Sequence, residues 1–363
     1  MNNRLLRLFV GASIVLSIAL IGRSSSADTA PAAGTFDQSL LYQNCSNGSG
    51  LLGALFGGST DAQTKYPIVL VSGLTGSAPN WLVPGGEYWN QIPQTLCQNG
   101  ATVYVASLSA VNSDIVRGEE LVQQLKLLMA KLKVDRVNLV GHSMGGWTVR
   151  YAAAIFPEGV ASVTTVSSPH KGTEFASYFL DHGPVVLKLG EVVFNVFGSY
   201  ANALNQTAYP VDADAAVHQA SPAGMAKFNA MFPSAGLSSA SCTGKNDDTG
   251  VRGNTDTRTG TDGKQYVQKL YSFTGNAPAS LDSLDVAGNV VMTIASAMMR
   301  SEGAGTNDGL AGVCSSRFGA VLGTYRWNHI NAINNLFGLT PVFEANPKQV
   351  YVNLANRLKK DGL

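Results

Sequence analysis

Residues 136–156 read RVNLVGHSMGGWTVRYAAAIF, and no other stretch of this 363-residue chain constrains its fold as tightly. An apolar run over 136–141 ends at Gly141-His142-Ser143-Met144-Gly145, and a helix-compatible run over 147–156 follows at once. A G-x-S-x-G between a strand and a helix predicts a sharp turn with its serine in a strained backbone conformation. Glycine is required at 141 and 145 because side chains there would collide with the strand and the helix. Such a turn implies a sheet whose strands are followed by helices.

The rest of the chain supplies that pattern. Residues 66–72 (YPIVLVS), 101–108 and 160–166 are continuous apolar runs of the kind buried on both faces of a parallel sheet, and 266–273 predicts another. Between two of them, over 117–132, Leu121, Leu125, Leu128, Met129 and Leu132 recur at helical spacing. The fold class predicted is α/β, a mostly parallel central sheet with helices on both faces. Residues 184–197 (PVVLKLGEVVFNVF) are apolar nearly all round, which fits either a buried helix or a mobile lid with an apolar underside. Residues 28–63, rich in Gly, Ser, Ala and Asn, read as an irregular extension ahead of a domain over 64–363.

Charge and composition exclude two classes. With 13% charged residues, 45% hydrophobic ones and a net charge of +1, the bulk of the chain is neither disordered nor basic enough to bind nucleic acid. Arg4 and Arg7, the uncharged run 8–22 and Ser25-Ser26-Ala27 make residues 1–27 a secretory signal peptide. The run is shorter than the ~20 residues that span a bilayer, so no stable membrane anchor is expected. Export permits disulfides. Cys45, Cys97, Cys242 and Cys314 allow three pairings, and without a C-x-x-C they do not suggest zinc.

A serine becomes a nucleophile when a histidine takes its proton and a carboxylate orients that histidine. After a serine elbow of this type the acid follows in the chain and the histidine comes last. Of the five histidines, His142 precedes the serine, His170 leaves only Glu158 between, and His182 and His218 fall in or near the lid region, about 175–225. His329 remains. Asp308, in Asn307-Asp308-Gly309, is the leading acid, with Asp282 and Asp285 as rivals that order alone does not exclude.

Several segments resemble the secreted bacterial triacylglycerol lipases of the Pseudomonas and Burkholderia type, which have the α/β-hydrolase fold with a helical lid. They are 64–70 (TKYPIVL), 116–121 (VRGEEL), 137–146 (VNLVGHSMGG), 168–172 (SPHKG) and a dense tail, NDGLAGVCSSRFG, then WNHINAINNLFGLT, then ANRLK. The resemblance implies Ser143 as nucleophile, Asp308 as acid and His329 as base, with the backbone N–H groups of Leu74 and Met144 as the oxyanion hole. It pairs Cys242 with Cys314, and a second bridge between Cys45 and Cys97 is a guess beside it. It also implies a dedicated foldase as partner during export, a lipid or ester substrate at an oil–water interface, and no organic cofactor.

Two departures stand out. The family has His-Gly ahead of its first oxyanion residue, where this chain has Ser72-Gly73. The family's structural Ca²⁺ maps to Asp285, Asn331, Asn335 and Leu339, and an asparagine at 331 keeps the oxygen of the second aspartate but loses its charge. The expected activity is that of a secreted serine hydrolase cleaving triacylglycerol esters through an acyl-enzyme. A carboxylesterase or polyester depolymerase with the same triad is the alternative, and a silent binding protein on this scaffold the more remote one.

Overall fold

Strands here alternate in facing but not in polarity. In Ile68–Val71, Ile68 and Leu70 join one apolar layer while Val69 and Val71 join another, so both faces of the strand are buried. The computed structural model describes residues 42–43, 59–76, 87–205, 207–242, 250–335 and 337–363. All of these lie within one unit, Asp37–Leu363; the other, Met1–Phe36, lies outside the described residues, and so does the signal peptide expected over 1–27.

The strands are β1 (Tyr42–Gln43), β2 (Ile68–Val71), β3 (Val103–Val105), β4 (Val137–His142), β5 (Val160–Val166), β6 (Thr255–Thr259), β7 (Gln265–Gly275) and β8 (Ala320–Tyr325). The helices are α1 (Ile92–Gln98), α2 (Asp114–Leu132), α3 (Gly145–Ile155), α4 (Glu174–Asp181), α5 (Pro184–Asn205), α6 (Ala213–Ala220), α7 (Pro222–Met231), α8 (Val286–Ser301), α9 (Val313–Ser316) and α10 (Pro347–Lys360). The sheet order is β1-β3-β2-β4-β5-β7-β6, with β8 also on β7. All neighbours are parallel except β1 on β3 and β6 on β7. This is the mostly parallel α/β architecture that the apolar runs predict.

One face carries α1 and α10, with Trp89, Ile92, Tyr351 and Leu354 against Ile68 and Val103. The other carries α2 and α3, with Leu121, Leu125, Leu128, Val149 and Ala152 against Val69 and Leu139. Ser113 caps α2 through its hydroxyl, and a left-handed Lys133 ends it. A third apolar cluster joins Met144 of the serine turn and Trp147 of α3 to Ala201 of α5, Ala213 and Ala216 of α6, and Met225 and Phe228 of α7. These helices therefore cap the turn.

The apolar segment that begins at Pro184 forms α5, a surface helix and not a buried one. Its Gly190 and Gly198 meet Phe179 and Val211 closely, and it leaves Val185, Val192 and Val196 exposed to solvent. Residues 59–63, read from sequence with the extension, are tied to the body. Ala62 is fully buried and its N–H donates to Asn99 O, while Lys359 reaches Thr60 O.

Cys242 and Cys314 are bonded, with their Cα atoms 5.4 Å apart. The bridge closes a 72-residue separation and pins α9, which follows directly on the Asp308 loop. Loop-closure entropy alone would assign it about 4 kcal/mol. Cys97 is also disulfide-bonded, and its expected partner Cys45 lies outside the described residues. No described helix is long and apolar enough to cross a membrane.

Candidate active site

The turn after β4 adopts the strained form that its glycines require. Ser143 has φ 55°, a left-handed conformation that costs a non-glycine residue of order 1 kcal/mol or more. A Cβ on Gly141 would sit 2.2 Å from Gly145 O, and one on Gly145 would sit 2.2 Å from Val71 O. Hydrogen bonds from Ser143 N–H to Val166 O (2.8 Å) and from Ser168 Oγ to Ser143 O (2.7 Å) hold the strain in place. The serine thus stands ahead of α3, whose N-cap residue Met144 makes no side-chain capping hydrogen bond.

His329 and Asp308 meet across the loops after β8 and α8. His329 Nδ1 lies 2.9 Å from Asp308 Oδ2, with the two side chains 4% and 0% exposed. Asp308 Oδ1 accepts the N–H groups of Leu310 (3.1 Å) and Ala311 (2.8 Å), and His329 N–H donates to Asp308 O (2.8 Å). The rival acids are engaged elsewhere. Asp282 binds Ser280, Phe343 N–H and Arg326, and Asp285 caps α8 through Gly288 N–H. The Asp308–His329 loop reaches the serine turn through His142, whose ring lies 4.7 Å from that of His329. Ser143 Oγ and His329 form no hydrogen bond among the described residues.

Leu74 lies in the turn after β2. Among the described residues, neither its N–H nor that of Met144 donates to a protein acceptor. Gly73 sets the loop against the serine, since a Cβ there would lie 2.6 Å from Ser143 Cβ. The guanidinium of Arg117 donates to Ser72 O and Ser109 O from beneath the loop, and its ion pair with Asp114 (3.9 Å) is fully buried. Removing either member of such a pair costs about 3–5 kcal/mol. The sequence carried a signal for Arg117, which sits one turn before Leu121 on the apolar face of α2. Tyr88 had none, although its hydroxyl accepts from Gly73 N–H at 2.9 Å and lies 2.6 Å from His142 Nδ1.

His170, of the SPHKG segment, lies apart from these groups. Its Nδ1 accepts from Arg150 (3.3 Å) and its Nε2 faces Thr165 Oγ1 (3.0 Å). Burial holds both His142 and His170 well below the ordinary imidazole pKa, helped by His329 in one case and by Arg150 and Lys171 in the other. Each therefore takes up a proton only on unfolding as the pH falls below about 6.5, which removes up to ~1.4 kcal/mol of stability per histidine per pH unit. Buried Asp114, raised to about 7 by desolvation, acts in the opposite sense, so the histidine contribution is read as a difference: the urea midpoint of His170→Asn is expected to rise relative to wild type as the pH falls from 7.5 to 5.5. A difference that stays constant over that interval would contradict this.

At the four positions implied for calcium the chain supplies one carboxylate, and oxygens of all four already accept protein hydrogen bonds. Asn331 Oδ1 accepts Asn328 N–H (3.2 Å), which turns its Nδ2 toward Asn335 O at 3.2 Å. An amide hydrogen thus meets a carbonyl that would face the cation. Leu339 O accepts the Ser283 hydroxyl (2.8 Å), and Asp285 Oδ1 accepts Gly288 N–H (2.8 Å). Calcium takes six to eight oxygens, several of them anionic. Among the described residues no group of three or more His, Cys, Asp or Glu could hold a metal.

The α/β-hydrolase fold family matches residues 66–221. A triacylglycerol lipase of Pseudarthrobacter phenanthrenivorans is 39% identical over 84% of this chain and 99% of its own length. One from Burkholderia plantarii is 38% identical over 84% and 88%. Among solved structures, the mature Bacillus licheniformis lipase superposes with a TM-score of 0.53 at 17% identity, covering 82% of this chain and 93% of that one. The Staphylococcus hyicus lipase gives 0.51 at 17%, covering 82% and 97%.

Proposed function

The chain belongs to the α/β-hydrolase family and, within it, to the bacterial triacylglycerol lipases, and on that premise we propose that it hydrolyses triacylglycerols by a Ser143–His329–Asp308 triad. The observation that carries this reading is the buried Asp308–His329 hydrogen bond, set beside a left-handed Ser143 and two N–H groups that have no protein acceptor among the described residues. The carboxylate accepts a hydrogen bond from Nδ1–H of His329, which leaves Nε2 with a lone pair for the serine proton. Ser143 Oγ attacks the ester carbonyl carbon, and the N–H groups of Leu74 and Met144 receive the oxyanion, each worth about 2.7–4 kcal/mol. The alcohol leaves with the proton from His329. Water, deprotonated by the same imidazole, then releases the fatty acid.

The exposed valines of α5 favour an oil–water interface over a dissolved ester as the working surface, since apolar side chains gain by leaving water. Export is part of the same reading and rests on residues 1–27. The need for a foldase rests on the family resemblance. The test is release of fatty acid from emulsified triolein by the wild-type chain and by Ser143→Ala, with a soluble butyrate ester in parallel. Hydrolysis of the soluble ester alone would make the chain a carboxylesterase.

The reading includes no structural calcium. On that reading, EDTA and added Ca²⁺ are both expected to leave the thermal midpoint unchanged, because no calcium ion binds the native state selectively. Asn331→Asp removes the amide donor and restores a charge, so its midpoint should rise with calcium. A wild-type midpoint that drops in EDTA would overturn the point.

A further inference from the structure

Three segments meet at one phenol. Tyr88 Oη lies 2.9 Å from Gly73 N and 2.6 Å from His142 Nδ1, and His142 Nε2 lies 3.1 Å from His329 O. The direction of every hydrogen follows. A carbonyl oxygen only accepts, so Nε2 of His142 carries the ring hydrogen. Burial keeps that imidazole neutral, so Nδ1 is an acceptor and the Tyr88 hydroxyl donates into it. The phenol oxygen keeps its lone pairs for Gly73 N–H. The chain runs one way, from Gly73 to Tyr88 to His142 to the backbone of His329.

Each link adjoins a part of the reaction. Gly73 precedes Leu74, His142 precedes Ser143, and His329 is the base. Ser72 offers the loop no such anchor, because its hydroxyl donates to Gly76 O within the same turn. The loop also rests directly on the tyrosine ring, where a Cβ on Gly76 would come within 2.5 Å of Tyr88 Cε2.

Resting on the reading of Ser143 as nucleophile, we propose that Tyr88 is a positioning residue, whose hydroxyl holds the oxyanion loop, the serine turn and the base loop in mutual register. Its ring packs and its hydroxyl aligns, and Tyr88→Phe separates the two roles. That variant leaves Gly73 N–H and His142 Nδ1 without a partner and lets the Leu74 N–H drift from the developing oxyanion.

The experiment is hydrolysis of a soluble p-nitrophenyl butyrate by the full chain, with active sites counted by burst titration with a p-nitrophenyl phosphonate. Tyr88→Phe is expected to lower kcat per titrated site about tenfold, short of the 10²–10³ for outright loss of an oxyanion donor, with KM within about twofold. A merely structural role would reduce the number of titrated sites and leave kcat per site unchanged, and that result overturns the proposal. Should Tyr88→Phe fail to accumulate, Tyr88→Gln, whose amide can both accept and donate, should exceed Tyr88→Leu in kcat per site; equality also overturns it. Ser143→Ala on the same ester separates the two readings. Activity in that variant removes the triad itself, whereas a silent Ser143→Ala beside an unimpaired Tyr88→Phe removes only the role given to Tyr88.

Discussion

Ser143→Ala is expected to lower kcat on emulsified triolein by about 10⁶-fold while the protein stays folded. The loss is this large because serine and histidine act as a unit, and without Oγ there is no bond to form with the acyl carbon. Stability should barely move. Ser143 Oγ has no protein hydrogen bond among the described residues, and alanine inherits the same left-handed backbone at φ 55°, so the change should stay within about 0.5 kcal/mol. The remaining rate should still exceed that of water by about 10³–10⁴, from binding and the oxyanion N–H groups. Equal fatty-acid release by the two proteins, each confirmed folded by circular dichroism, would sink the triad.

Asp308→Asn should cost about 10⁴ in kcat through a different cause. Asp308 Oδ1 is held by the N–H groups of Leu310 and Ala311, both of which need an acceptor. An asparagine must therefore keep its oxygen there and turn its NH₂ toward His329 Nδ1, 2.9 Å from the present Oδ2. That donor forces the imidazole hydrogen onto Nε2, where it points at the serine instead of receiving its proton. All local hydrogen bonds survive, so the thermal midpoint and KM should change little while kcat collapses. A loss below tenfold would show that Asp308 does not orient the base.

The Arg117 cradle and the Tyr88 chain show where sequence reasoning stops. The strands, the helix α2 and the serine turn were legible because each depends on residues close along the chain: apolar runs, a helical period, and glycines flanking one strained serine. Arg117 was visible in principle, as a charge on an otherwise apolar helix face. Tyr88 was not, since its partners lie 15 and 54 residues away and no local pattern sets it apart from a core aromatic. The segment beginning at Pro184 also stayed ambiguous. Apolarity all round does not say whether a neighbour covers each face, and here the outer valines of α5 stay exposed to solvent.

What the chain's order of residues decided alone was β2, β3, β4, β5 and β7 of the sheet but not β1, β6 or β8, the turn at Ser143 and a short roster of acids and histidines, because backbone sterics and side-chain periodicity act over a few residues. Residue order left Asp308 with Asp282 and Asp285 as rivals, the resemblance favoured Asp308, and the contact that joins it to His329 came from the packed molecule. So did the amide of Asn331 meeting the carbonyl of Asn335, and the phenol that secures the loop after Ser72. Hydrogen bonds are selected by distances of about 3 Å between segments far apart in the chain, such as the 187 residues from His142 to His329, and only packing the layers against the sheet sets those distances.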